Sequence, residues 1–272
     1  MTAISVVDVI NRDTMRASVQ EYAQGDELTL AETAAINSVL GLVCNQRILD
    51  IGVGGGRTVR ALRQYSRNYV GIDYVEEMVA RCHARFPFVR FDHMDARWMP
   101  QYANGSFDVV FFAMNGLCMS DHTDRLRILR EVRRVLNPNG VFIFSTYNQS
   151  SPVHDSWFTP PDFAPTSDAV EFSRRVARYG ADLGVRVFNR ARYLRHEVRG
   201  AEYSIINDRR HNYRTMQYFI SLENQRQQLR AAGFKRDARV FDLGGNEVFG
   251  STSDESMTFV SRPAKELEIV QA

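Results

Sequence analysis

An apolar stretch running into a cluster of glycines constrains this chain more than any other feature. Ile48-Leu49-Asp50-Ile51 reads as a strand, Gly52-Val53-Gly54-Gly55-Gly56 as a turn, and Val59-Arg60-Ala61-Leu62 as the amphipathic start of a helix. A strand-to-helix reversal this tight uses positive φ, and glycine lets a ligand approach the backbone with no Cβ between. Such a loop at the end of a parallel strand builds a nucleotide-sized site. Further apolar runs near 69–73, 88–92, 107–113 and 140–146 alternate with helical patterns. That alternation demands right-handed crossovers and a parallel sheet covered on both faces.

Two ligand classes compete for the loop. Dinucleotide binding uses G-x-G-x-x-G followed about 20 residues later by an acidic residue. Here Arg57 stands where the third glycine belongs, while Asp73 in Val70-Gly71-Ile72-Asp73 meets the acidic requirement of either class. Asp50 discriminates. A carboxylate beside a pyrophosphate would be repelled, whereas it can hold an ammonium, and S-adenosylmethionine carries an amino acid end where NAD carries the pyrophosphate.

On these residues the chain resembles the class I S-adenosylmethionine-dependent methyltransferases. Asp50–Gly56 matches their glycine motif, Gly71-Ile72-Asp73-Tyr74-Val75-Glu76-Glu77-Met78 the second-strand motif, and Asp95-Ala96-Arg97 the acidic position after the third strand. Phe107–Phe112 looks like the fourth strand, and Glu131–Gly140 like the helix and turn before the fifth, with Asn137-Pro138-Asn139-Gly140 in place of the commoner Pro-Gly-Gly. The likeness covers about 45–147 and, more faintly, 214–262. It implies a doubly wound, mostly parallel seven-stranded α/β sheet with N-terminal helices and a β-rich lid inserted after the fifth strand. It also implies S-adenosylmethionine as cofactor, contacted by Asp50, Gly52, Gly54, Gly56, Asp73, Tyr74, Met78, Asp95, Ala96 and Asn115. Asp73 faces the ribose hydroxyls in that reading, Tyr74 and Met78 cover the adenine, and Asp95 accepts from its amino group. The bland alternative makes Asp73 a helix cap, since Asp is a preferred N-cap.

The chain divides into an N-terminal helical cap (1–46), the core (47–147), an insert (148–213), a return to the sheet (214–262) and a frayed tail (263–272). In the insert, Ser151-Pro152 and Pro160-Pro161 mark irregular chain. Val185–Val198 and Ala201–Asn207 flank Arg199-Gly200 as a hairpin. The insert is rich in aromatics (Trp157, Phe158, Phe163, Phe172, Tyr179, Tyr193, Tyr203, Tyr213) and in arginines such as Arg174, Arg190, Arg209 and Arg210. Two readings stay open, a lid over a flat or anionic small molecule and a homodimer contact. A helix near Leu222–Ala232 closes at Gly233, with strands near 236–242 and 256–261.

Methyl transfer from a sulfonium asks mainly for an acceptor lone pair held in line in a dry site, with a base where the acceptor starts protonated. Candidates past the fourth and fifth strands are Asn115, Tyr147 and His154, while His122 beside the capping residues Asp121 and Thr123 reads as surface. The expected reaction is methylation of an oxygen or nitrogen of a small molecule. A sugar or cell-surface glycan acceptor is the alternative, and a nicotinamide-dependent reductase or a non-catalytic cofactor-binding protein are readings of other classes. With 44% hydrophobic residues and a net charge of +2, the 272-residue chain favours neither a nucleic-acid nor a membrane partner. Cys44, Cys82 and Cys118 lack metal-ligand spacing, no run of about 18 apolar residues occurs, and no leader is evident. A cytoplasmic enzyme without a metal is expected.

Overall fold

The computed structural model describes residues 5–20, 25–155 and 158–264. Trp157 and the tail beyond 264 lie outside the described residues. In chain order the elements are α1 (Val6–Ala17), α2 (Leu30–Asn37), β1 (Ile48–Ile51), α3 (Val59–Tyr65), β2 (Tyr69–Asp73), α4 (Glu76–Arg85), β3 (Arg90–His93), β4 (Phe107–Phe112), α5 (His122–Val135) and β5 (Leu136–Asn148). Then follow α6 (Ala169–Tyr193), β6 (Val198–Arg199), β7 (Tyr203–Asn207), β8 (Met216–Ile220), α7 (Leu222–Ala231), β9 (Arg239–Phe241) and β10 (Ser256–Ser261).

The sheet runs β3-β2-β1-β4-β5, all parallel. It is completed by antiparallel β10 on the far edge of β5 and by β9 against β10. These are the seven expected strands. Their near-continuous apolar runs have a simple cause, because both faces are covered. Along β1, β4 and β5 alternate residues enter two separate cores. Leu49, Val110 and Phe142 face one, and Ile48, Val109 and Ile143 the other.

Three more strands were not anticipated as part of this sheet. Tyr147 pairs with Ser256 of β10 on one edge and with Phe219 of β8 on the other. Since β4 holds that second edge lower down, β8-β7-β6 continue the sheet beyond the end of β4. They form a wall above the carboxyl ends of the core strands.

The insert corrects the expected β-rich lid. Residues 185–193 belong to the 25-residue helix α6, and the hairpin shrinks to β6 and β7. The valines after residue 184 read as strand, but the helix is set by its N-cap. The Asp168 side chain accepts from the Glu171 N–H, and Glu171 pairs with Arg175 one turn on. The tail is also firmer than expected at its start. Pro263 bridges to Phe234, and the Ala264 N–H donates to the Gly233 carbonyl. Among the described residues, no helix is long and apolar enough to cross a membrane.

Candidate active site

A cleft of about 730 Å³ opens at the carboxyl ends of the strands, where the order reverses between β1 and β4. That switch point is where an open α/β sheet leaves room for a ligand. One end is floored by the glycine loop. Gly52 has φ +65°, and a Cβ there would lie 2.9 Å from the Phe112 ring. The Gly54 N–H donates to Asp73 Oδ2 and the Val75 N–H to Oδ1, both at 2.9 Å, so the carboxylate pins the loop to the end of β2. Burial raises the Asp73 carboxyl to about 6. A carboxylate offers about four lone-pair directions, and capacity is left toward the cleft.

Asp50 departs from its expected role. Alternation along β1 puts Ile51 on the cleft wall and turns Asp50 to the other side. There its Oδ2 accepts from Thr58 Oγ1 at 2.5 Å and from the Tyr69 hydroxyl at 2.6 Å. Oδ1 is buried with no hydrogen-bond partner, and burial pushes the group up to about 6. Asp50 therefore braces the loop from beneath rather than lining the cleft. Arg57, in the third-glycine position, grips Glu32 with both terminal nitrogens at 2.9 and 2.7 Å. Glu32 also closes a capping box with Thr29, so α2 is tied to the loop.

Tyr74, Met78, Asp95, Ala96 and Asn115 all reach the cleft wall, as do Gly52 and Gly54; Gly56 does not. Gly56 serves packing, since a Cβ there would meet Phe86 at 2.7 Å. Burial raises Asp95, but its bonds to the Arg97 guanidinium and N–H outweigh this and hold it below the usual carboxylate range. Arg97 also pairs with Asp8 and Asp124. The Arg12 guanidinium lies 4.6 Å from the Tyr74 ring centre.

At the other end Asn115 and Tyr147 come together. Asn115 sits at φ +57°, its N–H donating to Ser145 Oγ and its Oδ1 accepting from Ser256 Oγ, both at 2.7 Å. Burial holds the Tyr147 phenol well above its usual range, so it is a donor and not a base. His154 is not on the wall. It packs edge-on against Phe219, because the chain after β5 turns away from the cleft. His122 is structural, bonded to the Tyr218 hydroxyl at 2.8 Å and stacked on Tyr203.

Several wall residues were not among the expected site residues. Asp8 and Met15 come from α1, Met119 from the turn after β4, Arg210 and His211 from the loop after β7, Gln217 from β8, and Glu255 from the approach to β10. Asn11 explains the first of these. Its amide donates to the Met119 and Met216 carbonyls and accepts from the Met216 N–H, seating α1 over the cleft. The signal that could have found two of them is the run Asp208-Arg209-Arg210-His211-Asn212, polar and ending in a residue that tolerates left-handed backbone.

A family model described as a methyltransferase domain matches residues 48–140. The matched span holds the glycine loop, Asp73 and Asp95, so this part of the chain is similar to a methyltransferase domain. A probable S-adenosylmethionine-dependent methyltransferase of Mycolicibacterium smegmatis is 33% identical over 115 residues, 42% of this chain and 43% of that protein. The 27-O-demethylrifamycin SV methyltransferase of Amycolatopsis mediterranei is 35% identical over 129 residues, 44% and 45% of the two chains. The chain thus spans about half the length of the curated relatives it matches. The methyltransferase fold extends further. The Burkholderia thailandensis 1,6-didemethyltoxoflavin-N1-methyltransferase superposes with a TM-score of 0.59 at 12% identity, covering 97% of this chain and 93% of that one.

The wall residues of the methyltransferase domain fit S-adenosylmethionine. A glycine loop open to close approach, the Asp73 carboxylate, Tyr74 and Met78 line the same cleft. Among the described residues, no group of three or more His, Cys, Asp or Glu could hold a metal ion.

Proposed function

We propose that this chain transfers the methyl group of S-adenosylmethionine to an oxygen or nitrogen of a small molecule. One observation carries the reading. A single cleft of about 730 Å³ is lined both by the glycine loop and Asp73 and by Asn115, Tyr147 and Gln217, so two small ligands can meet inside it. The loop backbone would take the amino acid end of the cofactor, Asp73 the ribose hydroxyls, Tyr74 and Met78 the adenine faces, and Asp95 its amino group. The bound cofactor supplies a methyl already activated by its sulfonium.

What remains for the protein is to hold the acceptor in line and keep water out. Met15, Phe112 and Met119 supply the apolar walls, and the Tyr147 hydroxyl and Asn115 amide orient the acceptor's polar edge. A neutral acceptor suits this chamber better than an anion. Of the insert's arginines, Arg210 reaches the cleft, and Asp208 and Glu255 already neutralise it. The toxoflavin and rifamycin enzymes act, by their names, on small molecules, in keeping with a small-molecule acceptor.

Calorimetric titration with S-adenosylmethionine, S-adenosylhomocysteine and NADH tests the reading. Binding of the two sulfur compounds and none of NADH is expected. Heat with NADH alone would end it.

A further inference from the structure

We infer that a recess on the outer side of α7 binds a phosphoryl dianion, apart from the cleft and independently of the methyl-transfer reading. The recess, about 200 Å³, is lined by Glu223, Arg226, Gln227, Arg230 and Arg236, and none of these residues lines the cleft. Three guanidiniums against one carboxylate leave it with a net positive charge. Its construction follows from the helix and the turn after it. In α7, Gln225 and Leu229 are buried, which leaves Glu223, Arg226, Gln227 and Arg230 neighbours at helical spacings of three and four on the other side. Gly233, at φ +86°, then reverses the chain. Its N–H donates to the Arg230 carbonyl and the Phe234 N–H to the Leu229 carbonyl, both at 3.0 Å. Phe234 and Ala238 are buried, and Arg236 between them stays on the surface beside α7.

These arginines are not held by protein carboxylates. Elsewhere on the surface Arg47 pairs with Asp108, Arg134 with Glu131 and Arg239 with Glu247. Among the described residues, Arg226, Arg230 and Arg236 have no ion-pair partner, and Arg226 Nε is buried without a hydrogen bond. The carboxylate of the recess is itself engaged, since Glu223 accepts from Gln227 Nε2 at 3.4 Å. A cation in the last turn favours the helix dipole, and that accounts for Arg230 alone. Like charges at Arg226 and Arg230, one turn apart, disfavour the helix, and an orphaned buried donor adds to the cost. An anion in the recess would relieve both.

Chemistry selects the ligand. A guanidinium presents paired N–H groups in a rigid plane, matched to two oxygens of an oxyanion. A phosphoryl group offers three terminal oxygens to three guanidiniums, and as a monoester it carries about −1.5 to −2 charges at pH 7. A carboxylate brings two oxygens and a single charge, so it satisfies the recess less well. At about 200 Å³ the space is smaller than the roughly 300–1,000 Å³ of pockets that enclose a drug-sized ligand, so it takes a head group and not a whole molecule. Glu223, Gln227 and Arg236 are exposed, and the remainder of a phosphorylated compound can extend past them into solvent.

Calorimetric titration of the full chain with inorganic phosphate and with glycerol 3-phosphate tests the site. Low-salt buffer is used, with S-adenosylhomocysteine present to occupy the glycine loop. Wild type should show a single saturable site whose affinity falls as sodium chloride is raised. Arg226→Gln and Arg230→Gln should each weaken binding roughly ten- to a hundredfold. Arg230→Lys, which keeps the charge and loses the planar fork, should fall between. Arg178→Gln, at an exposed position of α6, should leave affinity unchanged. Every variant should melt as wild type does, since these side chains lie on the surface. Binding of both ligands assigns the site to phosphorylated compounds, and binding of phosphate alone assigns it to the free ion. No saturable binding of either ligand, or wild-type affinity in Arg226→Gln and Arg230→Gln, overturns the proposal. If S-adenosylhomocysteine does not bind, the methyl-transfer reading fails and the two variants still decide this one.

Discussion

Replacing Asp73 by asparagine probes the cofactor end of the cleft through both stability and binding. Burial raises this carboxyl to about 6 in the ligand-free protein, against roughly 3.9 in an unfolded chain. The folded state therefore holds the proton more tightly than the unfolded one, and ionisation costs stability. The cost is absent below about pH 3.9, grows as pH rises toward 6 and is complete above it. Two units correspond to about 3 kcal/mol at pH 7.5, of which about 2 kcal/mol is recovered on acidification to pH 4.5. The asparagine variant cannot titrate, so subtracting its urea-unfolding pH profile from that of wild type isolates Asp73 from Asp50, which shifts the same way. S-adenosylhomocysteine supplies the second measurement. Its ribose hydroxyls would donate to the ionised carboxylate, so wild-type affinity should weaken as pH falls below 6. Asp73→Ala should lose roughly 1.5–3 kcal/mol, ten- to a hundredfold in Kd. A flat difference profile, together with unchanged product affinity in a folded Asp73→Ala protein, would reduce Asp73 to a loop anchor.

Two further substitutions test the scaffold. Arg125 is fully buried and donates to Leu117 O, Thr146 Oγ1, Gln225 Oε1 and Gln228 Oε1. Arg125→Ala leaves these acceptors unpaired around a cavity and should cost about 3–5 kcal/mol in denaturant unfolding, and a change below about 0.5 kcal/mol would contradict that network. Gly52→Ala forces a Cβ to 2.9 Å from Phe112 at φ +65°; it should destabilise by roughly 1–3 kcal/mol and weaken S-adenosylhomocysteine binding, which wild-type affinity would refute.

Much of the core was legible because its information is local. The apolar runs of β1, β2, β4 and β5, the glycines after Ile51 and the acid ending β2 each follow from short-range rules of period, φ and strand-end chemistry. Such rules place Asp73, Tyr74, Met78, Asp95 and Asn115 on one cleft. They failed where a side chain had two faces to choose from. Asp50 was read toward the ligand, but packing against Thr58 and Tyr69 turned it beneath the loop. The insert's β-branched residues read as strand, and a capped helix won.

The acceptor end was decided by tertiary structure alone. Asn11 bonds to residues 108 and 205 positions away, and that is what lays α1 across the cleft. The left-handed turn at His211–Tyr213 is held by Asn189, Arg186 and Asn207, and the tolerance of Asn212 alone would not choose three such residues in a row. The sequence by itself determined a doubly wound sheet with a nucleotide-sized site at the end of β1, since backbone conformation and strand periodicity are properties of neighbouring residues. Which side chains close the far end of that site depended on contacts between distant segments, and these are written only in the packed chain.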